Sequence, residues 1–197
     1  GFCLVGSEMC IRDSSKGVEQ RTIKLMEVCR LRSTPIFTFV NKMDRDIRDP
    51  IELLDEIESV LRIKAAPINW PIGMGRGFRG VYNFYTDTIH VYAQGGGRTL
   101  KEGDKVRDIH SNAAKEVLVY FAVDVLEELE LVHGATHRFC RDKFFCGELT
   151  PVFFGTALGN FGVREMLDDF VRWAPEPQPR MTFCLLYTSP SPRDRSL

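Results

Sequence analysis

An apolar run followed at once by a polar tetrapeptide constrains the fold of this chain more than any other feature. Residues 35–40 read Pro-Ile-Phe-Thr-Phe-Val, which is typical of a buried strand, and residues 41–44 read Asn-Lys-Met-Asp. Open α/β sheets bind their ligands at the carboxyl ends of their strands. The sequence therefore predicts an α/β fold with a binding site at residues 41–44.

The side chains of this tetrapeptide have the chemistry to recognise a purine edge. The carboxylate of Asp44 can accept two hydrogen bonds at once, which matches the N1–H and the exocyclic amino group of guanine. Adenine lacks that pair of donors and would leave the carboxylate unpaired. The methylene stem of Lys42 can cover the face of a base, and the amide of Asn41 can both donate and accept. In the alternative interpretation, Asp44 is an ordinary helix cap.

A second strand-end motif follows later in the chain. Residues 151–155 read Pro-Val-Phe-Phe-Gly and predict another buried strand, and Thr156, Ala157 and Leu158 come directly after it. Small residues there let backbone N–H groups approach a ligand, so that the N–H of Ala157 could bond to guanine O6. We expect Asn160 to cap the next helix. The apolar positions of that helix have helical spacing: Val163, Met166, Leu167, Phe170 and Val171. Two such motifs in this order predict a guanine-nucleotide fold.

Composition and charge exclude several classes of protein. The 197 residues are 44% hydrophobic and 27% charged, as in an ordinary globular protein, and 26 basic side chains nearly balance 27 acidic ones. This balance gives no electrostatic argument for direct DNA binding or for an anionic membrane, and no apolar run is long enough to span a bilayer. The six cysteines include no CxxC pair, which favours a reducing cytoplasm.

Both ends of the chain look foreign to the domain between them. Residues 1–14 have no periodicity that joins them to the next helix, and residues 175–197 are a linker and tail rich in Pro and Ser. Residues 3–14 and 184–197 resemble translated sequencing-adapter read-through, and the alternative is an ordinary disordered terminus. We therefore expect the domain to comprise residues 15–174, as an internal piece of a longer protein.

The middle of the chain alternates helical and extended patterns. Asp49 has the properties of a helix cap, because Pro50 takes the first helical position and Glu52 follows as the capping-box partner. The predicted elements are a helix at 16–32, a helix from 50 to 61, a loop at 64–80, a β-hairpin at 81–85 and 88–92, and a long amphipathic helix at about 113–131. The hairpin and the long helix therefore lie between the two strand-end motifs.

Two further patterns carry weaker interpretations. Residues 75–80 match GxGxxG, but a dinucleotide fingerprint must open a helix, and this segment leads into a predicted strand. His133, His137, Cys140 and Cys146 lie close in sequence, but their spacing is not that of a common zinc module. We predict neither a metal site nor a catalytic residue in this chain.

Four runs of sequence carry a family resemblance. They are KGVEQRT at 16–22, NKMDRDIRDP at 41–50, WPIG at 70–73 and TPVFFGTALGNFGV at 150–163. They closely resemble the peptide chain release factor 3 family of bacterial translational GTPases, which recycle the stop-codon release factors from the ribosome. The resemblance runs from about residue 15 to residue 182. It implies the later half (C-terminal half) of a P-loop GTPase domain, the G domain, with an inserted β-hairpin and helix.

The resemblance also implies a site, ligands and partners. The residues implied in base recognition are Asn41, Lys42, Asp44, Thr156, Ala157 and Leu158. The implied ligands are GTP and GDP, with Mg²⁺ in the full-length family members. The implied partners are the ribosome and the stop-codon release factors, and the implied process is translation termination in the cytoplasm.

Two motifs of the family are missing from these 197 residues. No GxxxxGK[ST] occurs, so the loop that cradles phosphates and the hydroxyl that binds Mg²⁺ are absent. No DxxG occurs either, which removes the γ-phosphate sensor and the adjacent catalytic histidine. We therefore expect this polypeptide to hydrolyse no GTP. We also expect it to bind GTP poorly, because base contacts alone leave most of the ordering cost uncompensated.

Three other interpretations stay open. An elongation factor G-like translocase shares the Asn-Lys-Met-Asp motif, although residues 45–50 and 70–73 favour the release factor. A non-catalytic α/β binding module would contain the tetrapeptide by coincidence. A truncated product with no cellular role is the third interpretation, and the foreign ends favour it.

Overall fold

The computed structural model confirms an α/β fold. It describes residues 8–13, 20–31, 34–45, 48–91, 105–107 and 125–175. In chain order the elements are β1 (Glu8–Asp13), α1 (Gln20–Leu31), β2 (Ile36–Asn41), α2 (Pro50–Leu61), β3 (Lys64–Pro67), β4 (Asn69–Ile72), β5 (Gly80–Asn83), β6 (Thr88–Val91), β7 (Lys105–Arg107), α3 (Val125–Ala135), α4 (Arg141–Phe145), β8 (Leu149–Phe154) and α5 (Val163–Trp173). The two strands that the sequence placed before its motifs are β2 and β8.

The described strands form two sheets of four strands each. The first sheet has the order β1-β2-β8-β3, and all of its neighbouring strands pair in parallel. The second sheet has the order β4-β5-β6-β7 and is antiparallel. Strands β2 and β8 are direct neighbours in the first sheet, with Val40 opposite Phe154. The carboxyl ends of these two strands therefore lie side by side.

Strand β2 faces a separate hydrophobic core on each side of the first sheet. Successive side chains of a strand point to opposite faces. Ile36 and Val40 pack in a core with α2 and the second sheet, while Phe37 and Phe39 pack in a core with α4 and α5. This double burial explains why residues 35–40 read as a continuous apolar run with no polar face.

The N-terminal segment differs from what the sequence predicted. Residues 1–14 were expected to lie outside the domain, whereas Glu8–Asp13 forms an edge strand of the first sheet among the described residues. Its register places Glu8 opposite Ile36 and Asp13 opposite Asn41, so it pairs along the whole of β2. The physical reason is that an unpaired strand edge offers backbone groups to any extended segment within reach. The foreign origin of residues 1–14 stays a prediction.

The loop predicted at residues 64–80 is wrong. This segment contains β3, β4 and a short 3₁₀ turn at Gly75–Gly77. The prolines that indicated a loop, Pro67 and Pro71, lie in edge strands of the described sheets, where a strand pairs on one side and proline is tolerated. The hairpin predicted just after it is confirmed as β5 and β6.

The helices agree with the sequence in part. Asp49 caps α2 as predicted, because its Oδ1 accepts a hydrogen bond from the Ile51 N–H at 2.7 Å. Most of the long helix predicted at 113–131 lies outside the described residues, and the described part, α3, continues through Gly134 to Ala135. None of the helices that the structure describes is long and apolar enough to cross a membrane.

Candidate nucleotide-base site

The two sequence motifs meet at the carboxyl edge of the first sheet. The N–H of Gly155 donates to the carbonyl of Val40 at 3.0 Å, and the N–H of Met43 donates to the carbonyl of Gly155 at 3.1 Å. These hydrogen bonds continue the β2–β8 pairing past the strand ends. The segments 41–44 and 156–158 therefore start at adjacent strand ends.

The side chain of Asn41 joins the two motifs directly. Its Oδ1 accepts a hydrogen bond from the N–H of Lys42 at 2.8 Å and another from the N–H of Ala157 at 2.9 Å. The sequence assigned the Ala157 N–H to guanine O6, and in this structure that N–H donates to Asn41. Asn41 thus clamps the first motif to Ala157, which lies 116 positions later in the chain.

The backbone of Lys42 adopts an unusual conformation at this clamp. Its φ angle is +70°, in the left-handed region that residues other than glycine rarely adopt. The hydrogen bond from its own N–H to Asn41 holds it there, and its carbonyl accepts from the N–H of Arg45 at 3.2 Å. The resulting tight turn buries Met43 and leaves Asp44 exposed. Strain that surrounding contacts hold in place is common at binding sites.

The second motif forms a closed loop of its own. Thr156 and Phe161 exchange backbone hydrogen bonds at 2.9 and 3.0 Å, and the N–H of Asn160 donates to the carbonyl of Ala157 at 3.3 Å. Ala157 and Leu158 lie at the exposed tip, where 86% of Leu158 is accessible to solvent. The loop therefore presents an exposed apolar side chain one residue after Ala157, the residue bonded to Asn41.

The predicted helix cap at Asn160 is wrong. Asn160 closes the loop in a left-handed conformation with φ +57°, and Gly162, with φ +76°, takes the N-cap position of α5. The chain needs two more residues to leave the loop before it can turn into a helix. The apolar face was also only partly identified, because Met166 is buried while Leu167 and Val171 are exposed.

The residues present fit a guanine base. Asp44 offers two carboxylate acceptors at an exposed position, which suits the two adjacent donors of guanine. Leu158 and the stem of Lys42, in the two segments that the Asn41–Ala157 hydrogen bond joins, are able to supply apolar surface. The hydroxyl of Thr156 is buried and has no hydrogen-bond partner among the described residues, so a polar atom is already placed at the base of the loop. GTP or GDP is therefore a ligand that this edge of the sheet is able to hold through its base.

A buried polar cluster beneath α5 was missed by the sequence reasoning. Nδ1 of His90 lies 2.8 Å from Oε1 of Glu165, and Nε2 of His90 lies 3.0 Å from the hydroxyl of Thr88. These contacts connect the second sheet to the helix that follows the second motif. The spacing of Glu165 and Asp169 on α5, four residues apart, was visible in the sequence, but the usual meaning of such a pair is a solvated helix face.

Asp169, next to this cluster, makes stability depend on pH. Burial raises the pKa of Asp169 from 3.8 to about 6; the positive charge of Arg172 opposes the shift, and Asp168 and Glu165 add to it. The folded chain therefore holds a proton that the unfolded chain releases. Between about pH 4 and pH 6 the free energy of unfolding should fall as the pH rises, with the full contribution present below pH 4 and lost above pH 6.

The substitution Asp169→Asn should remove this dependence. We expect the variant to be more stable than the parent chain at pH 7, by about 1–2 kcal/mol, because no charge is buried. The difference between the two chains should shrink as the pH falls to 4. Urea unfolding at a series of pH values measures it. Asp55→Asn, at an exposed position of α2 and not among the charges that shift the Asp169 pKa, is the control and should keep the slope of the parent chain.

The two weaker sequence patterns have other structural roles. The GxGxxG match contains the 3₁₀ turn at Gly75–Gly77 and connects β4 to β5, so it opens a strand and no helix. His133 stacks on Phe84 with ring centroids 6.0 Å apart, and Nε2 of His137 lies 3.6 Å from Glu58 Oε1. Within the described part of the chain, His, Cys, Asp and Glu side chains form no group of three that could hold a metal ion.

A comparison with protein families agrees with this geometry. Residues 4–176 match the family described as Elongation factor Tu GTP binding domain. The match includes both strand-end motifs, and it begins inside the segment 1–14. It covers most of the chain and implies a guanine-nucleotide-binding domain of a translation factor. The chain therefore belongs to the Elongation factor Tu GTP-binding domain family, that of the translational GTPases.

Proposed function

We propose that this chain is part of a translation factor that acts in termination, where it recycles stop-codon release factors from the ribosome in the cytoplasm. The proposal takes residues 15–174 as the GTP-binding domain, with Glu8–Asp13 paired to the edge of its sheet. The residues proposed to contact the guanine base are Asn41, Lys42, Asp44, Thr156, Ala157 and Leu158. Membership of the translational GTPases supports a role on the ribosome in general. The runs at 41–50 and 70–73 favour termination over translocation.

The hydrogen bond between Asn41 and Ala157 is the observation that carries the base assignment. It connects the two motifs at 2.9 Å, and Asp44 and the tip of the second loop are both exposed, which supports a base site formed by the two segments together. A coincidental tetrapeptide would not need a partner loop held at this distance. The proposal includes no catalytic residue in this chain. It also includes no ligand for Mg²⁺, because these 197 residues contain no GxxxxGK[ST] motif.

A chimaera experiment tests the termination role. Residues 15–174 would replace the corresponding segment of a bacterial release factor 3, and in parallel that of an elongation factor G. We expect the release factor chimaera to recycle release factors from terminated ribosomes with GTP hydrolysis, and the translocase chimaera to be inactive. The unmodified 197-residue polypeptide is the control and should hydrolyse no GTP. Activity of the translocase chimaera alone would contradict the proposal.

A further inference from the structure

The start of the second sheet is tied closely to the base site. We propose that Asn69, the first residue of β4, is a positioning residue that holds the second base loop, residues 155–161, in place for guanine. The inference rests on the proposed function. It goes beyond it because Asn69 belongs to neither sequence motif and uses its side-chain amide on the backbone of Phe154.

Asn69 uses its whole amide on a single backbone residue. Its Nδ2 donates to the carbonyl of Phe154 at 3.0 Å, and its Oδ1 accepts from the N–H of Phe154 at 2.6 Å. The side chain is fully buried. A buried amide with both partners in place is stable, whereas either partner left alone would carry the cost of its lost hydration.

This side chain continues the parallel sheet where a strand has ended. Strand β3 stops at Pro67, opposite Val152, and the N–H of Ile68 still donates to the carbonyl of Val152 at 2.9 Å. The next backbone groups of β8 on that side belong to Phe154, and the amide of Asn69 takes the place of a strand there. Buried backbone groups need such a partner.

Phe154 is one residue from the base loop. Gly155 follows it and bonds to Val40 and Met43, so its position sets that of the 41–44 turn as well. The chain of contacts therefore runs from Asn69 through Phe154 and Gly155 to both motifs. A shift of Phe154 would move the Ala157 N–H relative to the Asn41 side chain.

The other end of β4 makes a second contact with the site. The N–H of Gly75, in the turn after β4, donates to the carbonyl of Met43 at 3.1 Å. The segment 69–75 thus holds the second base loop at its start and the 41–44 turn at its end. This arrangement makes the second sheet a support for base recognition.

Hydrogen exchange of the ligand-free 197-residue chain tests this role. The substitution Asn69→Leu keeps the branched shape and the number of heavy atoms of the side chain but removes both hydrogen bonds. We expect exchange of the Met43, Gly155 and Ala157 amides, followed by NMR, to accelerate about tenfold relative to the parent chain through local opening. Amides of α2 should accelerate much less.

Thr150→Val is the matched control, on the strand β8 that carries Phe154. Thr150 is fully buried at the opposite end of β8, and its hydroxyl donates to the carbonyl of Ile36 at 2.7 Å. Loss of this hydroxyl should lower the free energy of unfolding by an amount comparable to the effect of Asn69→Leu. The exchange rates of the loop amides should stay unchanged relative to those of the α2 amides. Equal acceleration of loop and helix amides in both variants, or none in Asn69→Leu, would overturn the proposal.

A second variant decides the matter if Asn69→Leu does not fold. Asn69→Asp keeps the acceptor for the Phe154 N–H but loses the donor to its carbonyl while the carboxyl is ionised. Protonation restores that donor, so protection of the loop amides, corrected for intrinsic exchange, should recover as the pH falls. Protection that does not change with pH would overturn the positioning role. Because no nucleotide is present, either result is independent of whether the chain prefers guanine.

Discussion

The substitution Asp44→Asn should transfer the base preference of this chain from guanine to xanthine. In the proposed site the Asp44 carboxylate accepts from both N1–H and the amino group of guanine, whereas an asparagine amide has one acceptor and one donor. Xanthine carries a carbonyl in place of the amino group, so it matches the amide. Guanine would instead face a second donor and lose a charge-assisted hydrogen bond.

Ligand-observed NMR titration of the 197-residue chain measures this change. We expect dissociation constants of about 1 mM for GDP, because phosphate contacts are missing. The ratio of guanine to xanthine affinity should fall by about 100-fold in the variant. Asp55→Asn, at an exposed position on α2, is the matched control and should leave the ratio unchanged. If GDP, XDP and ADP bind both chains equally, Asp44 does not read the base.

The substitution Gly155→Ala should disrupt the site and weaken the fold together. A Cβ atom at Gly155 would lie 2.3 Å from the carbonyl oxygen of Phe161 and 3.0 Å from the ring of Phe39. The first of these atoms belongs to the backbone, so the loop itself must move. Such a movement would first break the backbone hydrogen bonds between Thr156 and Phe161 that close the loop. We expect a loss of about 1–3 kcal/mol in the free energy of unfolding, together with loss of the guanine preference.

Urea unfolding and the same NMR titration check this expectation. The matched control is Gly77→Ala, because a Cβ there meets no atom within 4 Å. That control should change the free energy of unfolding by less than about 0.5 kcal/mol and keep the base preference. Equal stability of the two glycine variants would show that the loop accommodates a methyl group and that the close approach has no role.

Local patterns identified the strands and caps that depend on a few neighbouring residues. The apolar runs before residues 41 and 156 predicted β2 and β8, and Asp49 with Pro50 predicted the start of α2. The prediction of a loop at residues 64–80 was wrong because the prolines of this segment lie in edge strands, and a sequence does not show which strand is an edge. The prediction of a helix cap at Asn160 was wrong for a related reason, because the closing of its loop depends on backbone hydrogen bonds between Thr156 and Phe161.

The candidate site divides in the same way between sequence and structure. The chemistry of Asp44 and Lys42 was readable from residue types, since a carboxylate and a long stem have the same properties in any fold. The clamp between Asn41 and Ala157, and the support that Asn69 gives to Phe154, were not readable. Asn69 directly precedes the run at residues 70–73 that carried the family resemblance, and it lies in the segment that was predicted to be a loop.

The amino-acid sequence by itself determined the class of fold, the two strands whose carboxyl ends lie side by side, and the side-chain chemistry on which the proposed base site rests. These properties follow from hydrophobic periodicity and from the hydrogen-bonding groups of single side chains, which are local. The tertiary structure alone decided which side-chain amides pair with backbone groups 85 and 116 positions away in the chain. Such pairings depend on the order of the strands and on close packing, and neither is encoded in any one segment.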